Sequence, residues 1–250
     1  MKPTFLYHLL TLALLLCGMV MPSLQAQPYK NPSLSPEERT ADLLQRMTLE
    51  EKIAQIRHIH SWNIFEEQEL NKSKLQEFVG DLCWGFVEGF PLTGENCHRH
   101  MRHIQEYMLN HTRLGIPIFT VAEALHGSVH EGSTIYPQNI ALASTFNPEL
   151  AYLRATEISK ELHYQGINQI LAPCIDVVRD LRWGRIEESY GEDPYLNGIF
   201  AYKEAKGYLD NGISPMLKHY GAHGNPLGGL NLASVHCGIG ELHDVYLQPF

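Results

Sequence analysis

Residues 170–194 read ILAPCIDVVRDLRWGRIEESYGEDP: an apolar run, a charged loop and the start of a helix in one continuous piece. Residues 176–194 hold three Asp, three Glu, three Arg, a Trp and a Tyr within nineteen positions. Alternating charges with embedded aromatics predict mutual pairing in a partly buried loop, not a solvated surface. Most of these charges are expected to brace one another, and one or two of the arginines to reach a ligand. A loop of this kind at the carboxyl end of a core strand is where α/β enzymes carry their chemistry.

Outward from this stretch the chain alternates. Upstream, Asn147-Pro148-Glu149 starts a helix with an apolar stripe at Leu150, Leu153, Ile158 and Leu162, and Gly166 ends it. Residues 167–172 follow as a strand. Downstream, Asp193-Pro194 starts a helix that Asn211-Gly212 stops, and residues 213–217 form another strand. Residues 82–87 and 116–121 are further strands, and 97–111 have helical spacing. A last helix is expected from about Gly240, still running at Phe250. Ser35-Pro36-Glu37-Glu38 and Thr48-Leu49-Glu50-Glu51 are capping boxes, with Leu43, Leu44, Met47, Ile53 and Ile56 as the apolar faces behind them.

Strand and helix in this rhythm predict an α/β fold with a parallel sheet. A doubly wound sheet would carry GxGxxG after its first strand, and this chain has none. A (β/α)8 TIM-type barrel is the expected architecture. It is incomplete: four core strands are readable where a barrel needs eight.

Polar residues recur where these strands end. Glu123 follows one strand, the charged loop with Arg185 the next, and Lys218-His219 a third. A charge directly after a buried strand is costly without a partner or ligand. Three in register predict a polar pocket, with His126 and the aromatics Trp183, Tyr190 and Tyr220 nearby. Carboxylate, guanidinium, ammonium and imidazole around an aromatic suit the vicinal hydroxyls of a sugar. A phosphate would call for more glycine at a helix N-terminus.

Composition bounds the alternatives. The net charge of −9 with no basic cluster excludes nucleic acid and anionic membranes as partners. Residues 1–26 read as a secretory signal, so export to a periplasm or the exterior is expected, and no other stretch could span a bilayer. Residues 27–250 are then the mature part. Four cysteines remain (Cys83, Cys97, Cys174, Cys237), expected as free and mostly buried thiols. Cys97-His98-x-His100-x-x-His103 invites a metal reading but lacks an i, i+4 pair, and no metal and no cofactor is expected.

Six segments together carry a resemblance: MTLEEKIAQI at 47–56, EALHG at 123–127, IYPQNIALASTFNPEL at 135–150, APCIDVVRDLRWGRIEESYGEDPYL at 172–196, KHYGAHGNPLGGLNLASV at 218–235 and ELHDVYLQPF at 241–250. In this order they resemble the N-terminal part of glycoside hydrolase family 3, the exported β-glucosidases, β-xylosidases and related exo-acting enzymes. The resemblance implies hydrolysis of an oligosaccharide or β-glycoside with retention. It places Glu123, Arg185, Lys218 and His219 on a sugar in the innermost subsite. Glu123 stands where the family usually has Asp, Glu188 and Asp193 where it braces the loop, and Trp183 where core packing and a sugar platform are both open. Leu230 replaces the Arg many relatives have after the double glycine, which removes one sugar contact.

Retaining glycosidases use two carboxyl groups about 5 Å apart. The family's Asp nucleophile lies in a Ser-Asp-Trp or Ser-Asp-Tyr step, and its Glu acid/base in a second domain. Neither step occurs between His219 and Phe250. The chain is therefore expected to be part of a longer enzyme, with no catalytic carboxylate of its own. Two other readings remain: a β-N-acetylhexosaminidase, because KHYGAHG resembles that branch's KHFPGHG, and a non-catalytic sugar binder. The Asp-Ser-His loop of the hexosaminidase branch is missing, since Asn225-Pro226-Leu227 runs on instead.

Overall fold

The structure is a computed structural model that describes residues 27–89 and 93–250. The expected signal sequence lies outside the described residues. The chain divides into two compact units, one ending at Lys52 and one covering Ile53–Phe250.

In the first unit a 3-10 turn (Pro28–Lys30) precedes helix α1 (Pro36–Arg46). Ser35 Oγ accepts the Glu38 N–H at 3.2 Å while Glu38 Oε2 accepts the Ser35 N–H at 2.9 Å. This is the capping box expected from the sequence, and it satisfies two donors that a helix start otherwise leaves open. Asp42 organises the unit: it accepts the Tyr29 N–H at 3.1 Å and a bidentate contact from Arg46 at 2.8 and 2.9 Å. No residue of α1 is buried, so Leu44 on the expected apolar stripe lies exposed.

Helix α2 (Leu49–Ala54) opens on the second expected box, with Glu51 N–H on Thr48 Oγ1 at 3.3 Å and Thr48 N–H on Glu51 Oε2 at 2.8 Å. The apolar face assigned to Ile53 and Ile56 is not covered: Ile56 is 80% exposed. The chain continues through β1 (His58–His60), α3 (Ser61–Ile64), β2 (Phe65–Glu66), β3 (Glu69–Leu70), α4 (Lys72–Val79) and β4 (Phe86–Glu88). Then come α5 (Gly94–His111), β5 (Phe119–Ala122), α6 (Asn139–Ala143), α7 (Glu149–Gln165), β6 (Gln169–Ile170), α8 (Pro194–Asp210) and β7 (Ser214–Pro215). A short turn α9 (Ile239–Glu241) leads into a π-helical turn, Leu242–Tyr246. Among the described residues no helix is long and apolar enough to cross a membrane.

Five strands make one parallel sheet in the order β1-β4-β5-β6-β7, and β2 pairs with β3 antiparallel. Each large-sheet strand is laid beside the previous one and the order never reverses. A doubly wound sheet reverses at its switch point, so the one-way order is that of a TIM-type barrel, here not closed. The fold class expected from the sequence holds, with one strand more. The extra strand, β1, has a single buried apolar residue, Ile59, between two histidines, too little signal for a strand.

The other strands are shorter than the apolar runs suggested, and they start later. Pro117 cannot donate to a ladder, and pairing begins at Phe119. Gly85 lies against the Gln55 backbone, with no room for a side chain, and β4 starts one residue on. Ile59, Val87, Ala122 and Ile170 point into the main core, where Met101, Ile104, Met108, Ile158 and Leu162 of α5 and α7 cover them. The alternate residues, His60, Glu88 and Val121, share one register row on the opposite face.

Helix α7 ends as its sequence predicts, on Gly166 in the left-handed conformation at φ 77°. Where α7 and α8 cross, a methyl group at Gly207 would sit 2.7 Å from Tyr152 O and 2.8 Å from Ala155 Cβ. Beside this crossing Arg154 pairs with Glu204 at 2.6 Å, both side chains nearly inaccessible. Arg154 also donates to Pro137 O and Asn139 Oδ1, and the Tyr190 hydroxyl donates to Glu204.

The Cys97/His98/His100/His103 motif does not converge. The thiol of Cys97 faces His130 Nε2 at 3.3 Å, and His130 Nδ1 meets Ser128 Oγ at 2.8 Å. Burial pushes the thiol up to about 12 and the imidazole down to about 4. The pair is a neutral hydrogen-bonded one inside the core, and not a thiolate nucleophile. All four cysteines outside residues 1–26 are free, three of them buried, as expected. The last helix does not run to Phe250. Helical turns stop at Tyr246, because Pro249 cannot continue the ladder.

Two outcomes follow from this packing. Gly207→Ala gains about 1 kcal/mol of helix propensity but overpacks the crossing at a cost of about 1–3 kcal/mol. The variant is expected to unfold at a lower urea concentration than the parent, and a higher midpoint would refute the close crossing. His130 is neutral in the fold, with a value below the ordinary 6.5. The unfolded chain therefore binds more protons between these values, and stability falls as pH drops from about 6.5 to about 4, by about 3 kcal/mol for this group. In His130→Gln the slope of the unfolding midpoint against pH should flatten in that window.

Candidate active site

The carboxyl ends of β5, β6 and β7 lie side by side because the three strands pair in parallel. Beyond β6 and β7 the pairing goes on for one more step: Lys218 N–H donates to Pro173 O at 3.1 Å, and Ile175 N–H to Lys218 O at 2.7 Å. This brings Cys174 opposite Lys218 and sets Lys218 toward Glu123, the first residue after β5. Lys218 Nζ donates to Glu123 Oε2 at 2.8 Å and Oε1 at 3.0 Å. Lys218 is 8% exposed, and an ammonium so buried needs such a counter-charge. The Glu123 side chain keeps 42% of its surface open, so one edge of the pair faces outward.

His219 is held from below. Asp176 Oδ2 accepts its Nδ1–H at 2.7 Å and its backbone N–H at 3.2 Å. With Nδ1 carrying that proton, Nε2 of the neutral ring is an acceptor. Cys174 Sγ donates to the same oxygen at 3.1 Å, and burial holds this thiol well above its usual range, protonated. Asp176 is 3% exposed, and its Oδ1 has no hydrogen-bond partner among the described residues. His223 packs against His219 with ring centroids 4.4 Å apart and meets Trp183 edge-on at 5.2 Å. Burial lowers its pKa.

The charged loop is braced as expected. Arg185 grips Glu188 at 2.7 and 2.8 Å and lies within electrostatic reach of Asp176. Arg182 holds Asp180, lowering that carboxyl to about 2. Asp193 caps α8 through Leu196 N–H at 2.7 Å. Asn139 Nδ2 donates to Glu188 O at 2.6 Å. Trp183 is buried, with Nε1 on Asn231 Oδ1 at 3.0 Å, so core packing is its place and not an open platform.

Glu123 and Lys218 thus touch, His219 follows Lys218 in the chain, and Arg185 stands in the adjoining loop. His126 instead ties down its own loop through Tyr136 O at 3.1 Å. Tyr190 turns away to Glu204, and Tyr220 is exposed with its edge on Phe250. Sequence reading gave no role to Asp176 and Cys174, although they stand at the start of the decisive stretch. It also passed over Trp62. The Trp62 ring is exposed and stacks on His60 at 4.1 Å and 8°, beside a cavity of about 390 Å³ that Glu88, Glu123 and Leu171 also line. An indole following a histidine pair was a legible sign of an aromatic wall, but without β1 it had no place in the fold.

The profile of the glycosyl hydrolase family 3 N-terminal domain matches residues 48–250. A periplasmic beta-glucosidase of Salmonella typhimurium is 31% identical over 242 residues, which are 92% of this chain and 30% of the relative. A beta-xylosidase of Formosa agariphila is 36% identical over 152 residues, 55% of this chain and 21% of the relative. Among solved structures, a β-glucosidase from Erythrobacter marinus superposes with a TM-score of 0.80 at 30% identity, covering 90% of this chain and 31% of that one. A Listeria innocua beta-glucosidase in complex with laminaribiose gives 0.72 at 30% identity, covering 86% and 31%. The chain spans about a third of the length of these solved relatives. Profile, sequence and fold agree: the chain belongs to glycosyl hydrolase family 3, through that family's N-terminal domain.

Proposed function

We propose that this chain supplies the sugar-holding part of an exported, exo-acting retaining β-glycoside hydrolase, a β-glucosidase or β-xylosidase that removes a terminal sugar. The observation that carries the reading is the Lys218–Glu123 pair, an ammonium buried at its base and a carboxylate open at its edge, set beside His219 at the strand ends. A carboxylate accepts two hydroxyl protons, Lys218 donates, and His219 Nε2 accepts, which matches vicinal hydroxyls that both give and take hydrogen bonds. Arg185 is the fourth group. The relatives named above are beta-glucosidases and beta-xylosidases.

The bond-breaking carboxylates are assigned outside this chain. Retention needs one carboxylate able to reach the anomeric carbon and a second about 5 Å away. Glu123 is engaged by Lys218, and Asp176 is buried under His219. Both are placed to bind or to orient.

The test is Lys218→Ala in the enzyme that contains this chain together with the catalytic carboxylates. Loss of one charge-assisted hydrogen bond to substrate is worth about 1.5–3 kcal/mol, so kcat/KM on an aryl β-glucoside or β-xyloside is expected to fall about 10- to 100-fold. Unchanged kcat/KM in a folded variant would remove Lys218 from the subsite and the reading with it.

A further inference from the structure

Cys174, Asp176 and His219 offer one thiol, one carboxylate and one imidazole whose ligand atoms all lie within 4.8 Å of one another. The sugar-holding role uses His219, with Asp176 Oδ2 orienting it, and leaves one thiol and one carboxylate oxygen of this cluster unused. Cys174 has no part in it, and Asp176 Oδ1 is buried without a hydrogen-bond partner. A further unpartnered buried atom, His223 Nε2, belongs to the ring packed on His219.

We propose that this cluster is a binding site for one soft divalent cation of the zinc or cadmium class, with Cys174, Asp176 and His219 as ligands and the fourth position left to water or to His223, whose ring packs on His219. In a tetrahedral zinc site the ligand atoms sit about 3.3–3.6 Å apart. Here Sγ and Nδ1 lie 3.1 and 2.7 Å from Asp176 Oδ2, short because a proton bridges each contact. Replacing those protons by one ion spreads the atoms by less than about 1 Å, and Asp176 can present its unengaged Oδ1. A thiolate with an imidazole selects zinc or cadmium over magnesium or calcium. Arg185, a cation of the loop within electrostatic reach of Cys174 and Asp176, is neutralised by Glu188. His219 keeps part of its side chain open to solvent, which gives the ion a way in.

Coordination balances simply. The Cys174 thiol loses its proton to solvent, and the His219 proton leaves Nδ1 while Nε2 takes one up, so one proton is released per ion. The outward Nε2 then changes from acceptor to donor. On the sugar-holding reading above, a hydroxyl that donates to Nε2 must then accept from it, so cation and sugar are coupled through His219.

Titration with cadmium, read by the ultraviolet thiolate-to-metal charge-transfer band, decides this without reference to any sugar. One equivalent is expected to saturate the band. Cys174→Ser should abolish it, Cys237→Ser should retain it, and His219→Ala, at a partly exposed position, should weaken binding at least about tenfold. Absence of the band in the parent chain, its survival in Cys174→Ser, or unchanged affinity in His219→Ala overturns the site. Should Cys174→Ser fail to fold, the His219→Ala affinity alone decides. Saturating glucose or xylose should change the cadmium affinity; a band indifferent to both sugars keeps the metal site and overturns the sharing of His219.

Discussion

An ammonium as deeply placed as that of Lys218 is stable only with a negative partner in contact, and that partner comes from a different strand end, that of β5. The contact exists because β5, β6 and β7 pair in parallel and in one register. A one-residue slip of β7 would turn Lys218 to the other face and leave a buried charge unpaired. The site and the sheet register are thus the same constraint seen twice. The backbone step between Pro173, Ile175 and Lys218 extends the sheet just far enough to fix both.

Two carboxylates at these strand ends have been given different work by their surroundings. Glu123 faces outward and keeps acceptor capacity after binding Lys218. Asp176 is enclosed and spends one oxygen on three donors: a thiol, an imidazole and a backbone amide. The first arrangement suits contact with a ligand. The second fixes a ring and its tautomer, as carboxylates do behind functional histidines. Burial, and not residue type, separates the two.

Much of this was legible in the amino-acid order, for local reasons. Capping boxes at Ser35 and Thr48, the cap at Asp193 and the stop at Gly166 are short-range devices, and each appears where its residues predict. The meeting of Glu123 and Lys218 at the strand ends was legible because a charge directly after an apolar run is rare. Asp176 was not, since in a stretch with three Asp nothing local tells which one will be enclosed; that depends on His219, 43 positions away. β1 was missed because its identity as a strand comes from pairing with β4 and hardly from its own three residues. The exposed Ile56 shows the converse, an apolar residue in helical spacing that tertiary packing leaves uncovered.

Two of the cross-element ion pairs sharpen the difference between scaffold and site. Arg154 and Glu204 are closed off at both ends, with Asn139 on α6 and Tyr190 of the charged loop bonded to them, and Arg154 Nε and Glu204 Oε1 are enclosed without a hydrogen-bond partner among the described residues. Such a pair ties elements together and, enclosed on every side, lies out of a ligand's reach. Lys218 and Glu123 are closed at one end only. Water or a hydroxyl must complete the open carboxylate edge, so its desolvation cost is met anew whenever a ligand displaces that water. A sugar hydroxyl can replace the water with an equivalent hydrogen bond, whereas an apolar group would leave the carboxylate short of one. On the proposed reading, the half-open geometry of this single pair is therefore what favours a polyhydroxylated ligand at the strand ends.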